Sequence, residues 1–503
     1  MTDQITRAPG GVTRDIVQKL WRLCDILRDD GITYQAYVTE LTYLLFLKML
    51  AETGREGALP ADARWASLTS RQGEVLLTHY RALLLRLGTE GAGTVRTIFA
   101  DAQTSQRKPT NLHELVTQID RLDWYSAKTE GLGDLYEGLL EKNAAEKKSG
   151  AGQYFTPRPL IDCMVRLLQP RPGEIIQDPA AGTGGFLVAA DRFIKDRTDD
   201  LFALKTEAER RFQREEAFRG LELVPDTHRL LLMNLMLHGI GGDLVRGGDT
   251  MGPDGEALGP ANLILTNPPF GTKKGGGRPA RPDFTITADT SNKQLAFVEH
   301  VVRALHPGGR AGIVVPDNVL FADGAGRELR QWMMDVADLH TILRLPTGIF
   351  YAQGVKTNVL FLRRGPAKVA KGNTRAVWVY DMRAGQPAYG KTRPLRIEDF
   401  AAFEAAYGDD PNGAAATRED QGAEGRFRCF TRAEIAARSD ILDIAWLRGS
   451  DEAGEDALDE PEDILEAMRT HLARALVEVE VEVEVEALTG EMAPRSSLAE
   501  AAE

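Results

Sequence analysis

The stretch that decides the fold is Glu174-Ile-Ile-Gln-Asp-Pro-Ala-Ala-Gly-Thr-Gly-Gly-Phe-Leu187. Its first four residues form a short run that is typical of a strand, and Phe186–Lys195 is predicted to be a helix. Between them lies Asp178-Pro-Ala-Ala-Gly-Thr-Gly-Gly185, a glycine-rich turn that allows a ligand to approach the backbone closely. The sequence therefore predicts a strand, a ligand-binding turn and a helix in direct succession.

The same alternation continues along the chain. Further strand candidates are Gly220–Leu223, Ala261–Thr266, Ala311–Val315 and Thr357–Arg364, and further helix candidates are Pro159–Leu168, His228–His238 and Arg327–Val336. The charged segment 196–218 reads as a lengthened helical connection between the first two strands. Strands that alternate with helices indicate an α/β fold with a doubly wound, mostly parallel sheet.

The region before this sheet reads as a helical N-terminal domain, residues 1–148. Helical spacing or apolar character marks Ile16–Leu27, Tyr34–Leu50 and Leu132–Lys148, and the second of these is apolar on most sides and so predicted to be buried. The domain is either a structural bundle or a functional cover over bound substrate, and the sequence leaves both interpretations open.

The acidity of the chain is concentrated in a C-terminal tail, residues 451–503. The tail holds 17 acidic and 3 basic side chains, a balance of -14, whereas the whole chain of 503 residues has a net charge of -13. The preceding residues are therefore close to neutral, and the charge does not argue against a DNA-binding body. Pro461–Leu476 is predicted to be a helix with one apolar face.

For two other segments the sequence is compatible with more than one structure. The repeat Val477–Glu486 has the period of a strand, and the alternative is a low-complexity expansion without fixed structure. Residues 408–427 are rich in Gly, Ala, Asp and Glu and are predicted to be a linker or a mobile loop. We assign 149–450 to the sheet domain that contains this loop.

Composition excludes several classes of protein. With 43% hydrophobic and 27% charged residues the profile is globular, and no segment is long and apolar enough to span a bilayer. Cys24, Cys163 and Cys429 lie too far apart for a disulfide scaffold or a CxxC zinc site. We expect a reduced cytoplasmic protein without a secretory signal, without membrane association and without a structural metal.

The glycine turn differs from a dinucleotide fingerprint. A GxGxxG pattern needs a third glycine, but Leu187 stands where Gly182 and Gly184 would require one. Asp178 leads the turn, and its carboxylate would repel a pyrophosphate but suits a cationic ligand, such as the sulfonium and amino groups of S-adenosylmethionine. Glu222 ends the next predicted strand, where it can accept hydrogen bonds from ribose hydroxyls. A turn that only packs is the alternative.

The tetrapeptide Asn267-Pro-Pro-Phe270 follows an apolar strand, so it lies at the carboxyl edge of the predicted sheet, where ligands bind. The Asn267 side-chain oxygen and the Pro268 carbonyl could accept both hydrogens of an exocyclic amine, which would direct its lone pair to a methyl group. Pro268 and Pro269 stiffen the turn, and Phe270 offers a face to a base removed from a duplex. A simple proline turn is the alternative.

The third motif is Gly152-Gln-Tyr-Phe-Thr-Pro157, in which Thr156 and Pro157 are predicted to form an N-cap and first-turn pair. Together the three motifs resemble an N6-adenine amino-methyltransferase. With the helical N-terminal region, residues 12–365 are similar to the modification subunit of type I restriction-modification systems, and the tail is similar only loosely. The resemblance implies a seven-stranded methyltransferase sheet with an acidic, partly helical tail.

The resemblance also implies site residues. The catalytic positions are Asn267, Pro268, Pro269 and Phe270. The cofactor-binding positions for S-adenosyl-L-methionine are Gln153, Tyr154, Phe155, Thr156, Pro157, Arg158, Asp178, Gly182, Thr183, Gly184, Gly185, Glu222 and Asp249. Asp249 would read the adenine edge of the cofactor.

A basic loop follows the catalytic turn. Its candidate DNA contacts are Lys273, Lys274, Arg278 and Arg281, and the loop from Gly271 to Arg281 contains no acid. A solvated surface loop is the alternative. Cys163 would suit a cytosine-C5 enzyme only within the catalytic turn, so we interpret it as a packing residue.

These observations favour methyl transfer from S-adenosylmethionine to adenine N6 in duplex DNA by base flipping. A protein glutamine methyltransferase and a non-catalytic scaffold are the alternatives. After Arg364 too few residues remain for a two-part DNA reader, so we expect sequence specificity to come from elsewhere. The resemblance implies two modification subunits on one specificity subunit, with room for a restriction (nuclease/translocase) subunit. Pro461–Leu476 is a candidate docking helix, and packing on its own domain is the alternative.

Overall fold

The computed structural model describes residues 16, 18–20, 34–124, 133, 136–140, 156–270, 277–350, 356–386, 388–390 and 393–447. Its helices are α1 (Tyr34–Glu52), α2 (Trp65–Thr69), α3 (Gly73–Glu90), α4 (Gly93–Ile98), α5 (Pro109–Asp120), α6 (Arg158–Leu168), α7 (Gly185–Arg197), α8 (Glu207–Glu215), α9 (Pro225–Leu237), α10 (Pro253–Ala257), α11 (Lys293–Ala304), α12 (Asn318–Phe321), α13 (Ala325–Val336), α14 (Ala401–Tyr407) and α15 (Arg432–Ala437). Its strands are β1 (Ile176–Asp178), β2 (Phe218–Glu222), β3 (Val245–Gly247), β4 (Ala261–Thr266), β5 (Leu305–Pro316), β6 (Ala337–Arg344), β7 (Thr357–Arg364), β8 (Ala376–Asp381) and β9 (Phe427–Thr431). Within these ranges, no helix could cross a membrane.

The N-terminal region is helical, as its apolar pattern predicts. In α1 the residues from Glu40 to Leu50 are all buried, which confirms a helix that is covered on most sides. Ile16 and Leu20 are helical and buried. Residues 17 and 21–27 of the first predicted helix, most of Leu132–Lys148, the boundary at 148, and the whole tail from 451 lie outside the described residues.

The strands form one sheet in the order 3-2-1-4-5-7-6-8-9. β1 to β5 pair in parallel, β7 is antiparallel to both β5 and β6, β8 is parallel to β6, and β9 is antiparallel to β8. The α/β class with a mostly parallel sheet is confirmed. The described residues contribute nine strands: β1 to β7, in the order 3-2-1-4-5-7-6, correspond in number to the seven expected, and β8 and β9 extend the sheet beyond β6.

The two additional strands, β8 and β9, are difficult to read from the sequence. β9 is an edge strand whose side chains are mostly half-buried, and its sequence Phe-Arg-Cys-Phe-Thr has no continuous apolar run. A long segment of the chain separates β9 from β8, with which it pairs. Between the two strands the rings of Trp378 and Phe427 stack with 4.8 Å between their centroids.

Residues 408–426, predicted to be a linker or a mobile loop, connect α14 to β9 within the sheet domain. Arg418 anchors the segment, because its Nε donates to the Tyr407 carbonyl at 2.9 Å and its Nη1 donates to the Thr341 hydroxyl at 3.0 Å. The segment is therefore a loop that is attached to the sheet.

Helices cover both faces of the sheet because successive strand residues point to opposite sides. In β4, Leu263 and Leu265 pack on the side of α6 and α7, whereas Ile264 packs on the side of α11 and α13. The lengthened connection predicted at 196–218 contains α8, which begins with a capping box between Thr206 and Glu209.

Helix α9 joins the helical region to the sheet. Leu232 and Met233 belong to the apolar core of the N-terminal region, whereas Leu231 and Leu235 belong to the core beneath the sheet. Arg229 on the same helix donates to the backbone carbonyls of residues 98 and 100 at 2.7 and 2.9 Å. The helix that follows Glu222 is therefore fixed from both sides.

A buried ionic network occupies the carboxyl edge of the later strands. Arg383 donates to both carboxylate oxygens of Asp317 at 2.6 and 2.9 Å and to the Asn358 side-chain oxygen at 3.1 Å. Arg344, at the end of β6, donates to Asp381, at the end of β8, at 3.0 Å. In this half of the edge the polar side chains are paired with each other.

Candidate active site

Four predicted site residues follow four adjacent strands. Asp249, Glu222, Asp178 and Asn267 stand at or just after the carboxyl ends of β3, β2, β1 and β4, which are consecutive in the sheet. The carboxyl ends of parallel strands meet at one edge, so the fold brings these side chains to the same cleft. The connection after β1 leaves toward β2, while β4 lies on its other side, which makes this the topological switch point.

The glycine turn between β1 and α7 combines open space with close packing. Gly182 has φ +54, and a Cβ there would meet no atom within 4 Å. Gly184 has φ +87, and a Cβ there would stand 2.5 Å from Leu231; at Gly185 it would stand 2.8 Å from Ile161. Gly184 and Gly185 therefore allow the turn to lie on the helices beneath it, whereas Gly182 borders room for a ligand.

Thr183 connects the glycine turn to helix α9. Its backbone carbonyl accepts a hydrogen bond from Asn234 Nδ2 at 2.9 Å, so α9 supports the turn from below. The sequence gives no signal for this role of Asn234, because an asparagine in an apolar helix has no pattern of its own.

Asp178 is almost completely buried, at 1% exposure. One of its carboxylate oxygens accepts the backbone N–H of Ala180 at 3.1 Å. Burial raises the pKa of Asp178 to about 7, with the charge of Glu222 acting in the same direction. A cation beside this carboxyl group would favour its ionised form.

Glu222 ties the end of β2 to the glycine turn. Its two oxygens accept the backbone N–H groups of Gly182 and Val224, each at 2.9 Å. Burial raises the pKa of Glu222, although these amides oppose the shift. Among the described residues, no lysine or arginine is paired with Asp178 or Glu222.

This set of acceptors fits S-adenosylmethionine. Two carboxylates without a cationic partner suit an ammonium or sulfonium group and hydroxyl donors, and the space at Gly182 allows close approach. Leu223, directly after Glu222, is 58% exposed, which is unusual for a large apolar side chain and offers a surface to an aromatic ring. Sequence reasoning missed Leu223, since a leucine next to a strand reads as core.

Asp249 lies at the outer end of this row. It is exposed, its side chain accepts the Met251 backbone N–H at 2.9 Å, and its own backbone N–H donates to Asp254 at 3.2 Å. These bonds hold the turn after β3. The adjacent Thr250 is buried, and its hydroxyl donates to the Pro179 carbonyl at 2.5 Å. The turns after β1 and β3 are thus attached to each other.

Asn267 has one end of its amide bonded and the other end free. Its Nδ2 donates to the hydroxyl of Thr156 at 2.9 Å. Its Oδ1 is withdrawn from solvent and has no hydrogen-bond partner in the described part of the chain. A buried carbonyl oxygen without a partner is energetically unfavourable, so it marks a place where a ligand donor is expected.

The other residues of the catalytic turn differ in exposure. Pro268 is buried and Pro269 is exposed. Phe270 is 6% exposed, and its ring meets Phe350 nearly at a right angle with 5.6 Å between centroids. Phe350, which follows β6 in the run Leu345-Pro-Thr-Gly-Ile-Phe350, was not identified from the sequence. Its signal is an aromatic residue shortly after a strand at the same sheet edge.

The motif before α6 is only partly described. Gln153, Tyr154 and Phe155 lie outside the described residues. The prediction that Thr156 caps the helix is wrong: α6 begins at Arg158 with Pro157 at the N-cap and no side-chain cap. The Thr156 hydroxyl instead accepts from Asn267, a bond between residues 111 positions apart.

Arg158, in the first turn of α6, is paired with Glu137 from the N-terminal region. Glu137 also accepts a hydrogen bond from Arg192 of α7 at 3.2 Å. One carboxylate therefore connects the two helices that follow the Thr156 segment and the glycine turn.

The basic loop divides into two parts. Lys273 and Lys274 lie outside the described residues, and Arg278 is exposed and paired with Asp289 at 3.1 Å. Arg281 is buried: it donates to both oxygens of Asp283 at 2.8 Å and also to the Thr250 carbonyl and His300. The prediction that Arg281 contacts DNA is therefore wrong, since its guanidinium is used inside the protein.

Cys163 is buried within α6, where burial raises the pKa of its thiol well above the usual value. A thiol held in its neutral form is a poor nucleophile, which agrees with a packing role. In the described ranges there is no group of three or more His, Cys, Asp or Glu arranged to hold a metal ion.

Two family models match the chain. The model described as N-6 DNA Methylase matches residues 127–450, and the model described as HsdM N-terminal domain matches residues 16–119. Together they account for both the sheet domain and the helical region before it.

Individual relatives agree with these matches. The chain is 47% identical over 501 residues to the type I restriction enzyme StySJI methylase subunit of Salmonella typhimurium, which covers 92% of this chain and 94% of the relative. It is 46% identical, with the same coverage, to the EcoKI methylase subunit of Escherichia coli. The crystal structure of the type I restriction enzyme EcoKI M protein aligns with a TM-score of 0.56 and 42% identity over 96% of this chain and 98% of that chain.

Proposed function

This chain belongs to the N-6 DNA methylase family, among the methylase subunits of type I restriction enzymes, and on that basis we propose which of its residues perform the reaction. The activity of the family is transfer of a methyl group from S-adenosylmethionine to N6 of adenine in DNA. The family description names DNA as the methylated molecule, so the protein glutamine methyltransferase and the scaffold lose their support.

The row of acids and the glycine turn bind the cofactor. Asp178 and Glu222 accept hydrogen bonds from its amino and hydroxyl groups, Leu223 faces its base, and Asp249 lies where the edge of that base ends. The Gln153–Arg158 segment covers it. S-adenosylmethionine supplies an already activated methyl group, so these residues only need to hold it in place.

Asn267 acts on the other reactant. The unpartnered Oδ1 of Asn267 is the observation that carries this proposal, because it offers one buried acceptor to an amine that has two N–H donors. The Pro268 carbonyl accepts the second hydrogen, and the two bonds favour a pyramidal nitrogen with its lone pair directed at the cofactor. Pro269 keeps the turn rigid.

Phe270 and Phe350 form the wall against which the flipped adenine lies. The Phe350 ring meets the ring of Phe270, which lies three residues after Asn267, and an extruded base stacks well on aromatic surfaces. Lys273, Lys274 and Arg278 contact DNA phosphates near the entrance. The target is duplex DNA, from which the adenine is removed by base flipping.

The active form is a complex. Two copies of the chain assemble on one specificity subunit, and a restriction subunit completes the system. Pro461–Leu476 is the candidate docking helix. The domains are 1–148, 149–450 and 451–503. In support, this chain aligns over 97% of its length with all of a chain in a solved structure described as the basis of complex assembly and conformational transition of the type I R-M system, with 26% identity and a TM-score of 0.69. The cytoplasm is the expected location, since that is where the DNA is.

The test of this function is Asn267→Ala in the complex with the specificity subunit. We expect methyl transfer to adenine to fall by roughly 10²–10³, because the lost acceptor acts mainly in the transition state. The affinity for S-adenosylmethionine should stay within about threefold, which calorimetry can measure. Near-normal turnover by this variant would show that the role of Asn267 is misassigned.

The requirement for a specificity subunit has its own test. The isolated chain should bind cofactor but methylate DNA weakly and without preference for a site, and co-expression should restore site-specific activity. Truncation at Asp459 should weaken the assembly and spare cofactor binding. Efficient methylation of one defined sequence by the isolated chain would overturn the requirement, and full co-purification after truncation would remove the tail from the docking surface.

A further inference from the structure

The side-chain amide of Asn267 has two chemically opposite ends, and only one suits the proposed reaction. Its oxygen accepts hydrogen bonds, whereas its NH₂ group donates them. An adenine amine presents two N–H donors, so an amide turned by a half-rotation would place donors against donors. The reaction therefore needs Nδ2 turned away from the base, as it is when Nδ2 is bonded to Thr156.

The Thr156 hydroxyl cannot impose this orientation by itself. A hydroxyl has one proton and two acceptor positions, so it can accept from Nδ2 or donate to Oδ1 of a turned amide. Which of the two occurs depends on where the hydroxyl proton is used. Within the described residues, the only hydrogen bond of this hydroxyl is the one it accepts from Nδ2, at 2.9 Å, so its proton remains available for a ligand.

Both partners of this bond are held by separate elements. Thr156 precedes Pro157 and the well-packed helix α6, in which Leu160 is fully buried. Asn267 follows β4, an interior strand of the sheet. Because neither backbone is free to adjust, the amide orientation is the variable that responds to the hydroxyl proton.

We infer that Thr156 is a positioning residue that links cofactor occupancy to the orientation of the Asn267 amide. An anionic acceptor in the cofactor site accepts a hydrogen bond from the Thr156 hydroxyl, which leaves the hydroxyl only its acceptor positions for Asn267. Nδ2 is then held by Thr156, and Oδ1 faces the target amine. The acceptor class is a carboxylate, such as that of the methionine part of the cofactor; the inference rests on the proposed function, which places Thr156 beside it.

The experiment compares three variants in the complex with the specificity subunit and a duplex that contains the target site. Thr156→Val removes the hydroxyl at nearly constant shape, and Thr156→Ser retains it. Thr89→Val is the matched control, because Thr89 is exposed on α3 and its hydroxyl donates to the Leu85 carbonyl of its own helix.

We expect Thr156→Val to lower kcat by roughly 10- to 100-fold, since both amide orientations then become available. The KM for the cofactor should rise by less, about three- to tenfold, for the loss of one hydrogen bond. Thr156→Ser should restore most of the kcat, and Thr89→Val should match the unchanged protein.

A binding measurement provides a readout apart from turnover. S-adenosylhomocysteine keeps the carboxylate. It should increase the affinity for a duplex with adenine at the target position more than the affinity for a duplex with unsubstituted purine there, which lacks the 6-amino group. Thr156→Val should abolish that difference. A Thr156→Val kcat within about twofold of the unchanged protein, an equal loss in Thr156→Ser, or a retained difference between the duplexes would each overturn the inference.

The outcome also separates this inference from the function on which it rests. If the unchanged complex methylates no adenine, or if Asn267→Ala remains active, the proposed function fails. If the unchanged complex methylates adenine, Asn267→Ala is inactive and Thr156→Val behaves like the unchanged protein, only the role of Thr156 fails.

Discussion

The two halves of the sheet's carboxyl edge use similar side chains in opposite ways. At the ends of β1 and β2, Asp178 and Glu222 are buried and accept hydrogen bonds from backbone amides. At the ends of β5 and β8, Asp317 and Asp381 are bonded to the guanidinium groups of Arg383 and Arg344. The first half keeps its charges without a counter-charge, whereas the second half neutralises them.

This difference indicates which half binds ligands. Buried carboxyl groups without a cation destabilise the folded chain, and they persist where a ligand later supplies the positive charge. The free Oδ1 of Asn267 belongs to the same half. Buried polar residues at a sheet edge are therefore a functional signal when they lack partners and a structural one when they are paired.

The largest effect is expected from breaking the paired half with Arg383→Ala. The variant leaves Asp317 and Asn358 without their main donor, and losing one member of a buried ion pair typically destabilises by about 3–5 kcal/mol. Urea unfolding should show this loss. Arg210→Ala, which removes a surface pair with Glu207, should change stability by less than about 1 kcal/mol. If Arg383→Ala also lowered the free energy of unfolding by less than about 1 kcal/mol, the ionic network would not be structural.

The unpaired half should respond to pH. The pKa of Asp178 is raised to about 7, so below that value the carboxyl group is protonated and must release a proton before it can bind a cation. Cofactor affinity should therefore fall as the pH drops from 8 to 5.5. Below pH 7 the dissociation constant should rise by a factor that approaches about tenfold per pH unit. Calorimetry across this range would measure it.

Asp178→Asn is the control for that pH dependence. It should bind the cofactor more weakly at pH 8 and show a shallower slope, because only Glu222 remains to titrate. An affinity of the unchanged protein that is constant between pH 6 and 8 would contradict the role given to Asp178.

The smallest effect concerns DNA, and it separates two arginines that the sequence places in one loop. In the complex, Arg278→Ala should weaken DNA binding a few-fold and reduce the salt slope by about one unit. Arg281→Ala should lower stability and leave that slope unchanged, because Arg281 is buried against Asp283. Fluorescence anisotropy at several salt concentrations distinguishes them; a reduced slope for Arg281 alone would reverse the assignment.

The parts of the fold that the sequence predicts well are those with local signals. The bounds of β4 and β7 agree with their apolar runs, Ala261–Thr266 and Thr357–Arg364. β6 was missed because Asp338, His340 and Arg344 interrupt its apolar pattern. Two of these, His340 and Arg344, are buried in the structure, where Arg344 is bonded to the distant Asp381 and the His340 ring contacts the ring of Tyr407.

The candidate site follows the same rule. Asp178 and Asn267 are identifiable because each stands in a short motif after a strand. A threonine hydroxyl before a helix can cap that helix or bond to a distant side chain. The local sequence predicts the cap, but the hydroxyl of Thr156 is bonded to Asn267, 111 positions away. Arg281 was misread because the loop was taken to end there: its bidentate partner Asp283 stands two residues later, and the distant His300 also accepts from it.

The central claim is that the unpaired half of the edge exists for binding and the paired half for stability. The most direct measurement compares two isosteric variants, Asp178→Asn and Asp317→Asn, for cofactor affinity by calorimetry and for unfolding free energy in urea. Asp178→Asn should lose roughly tenfold or more in affinity without losing stability, and Asp317→Asn should lose about 1–3 kcal/mol of stability while the folded protein keeps its affinity. Equal effects of both variants on both quantities, or the reverse assignment, would contradict the account.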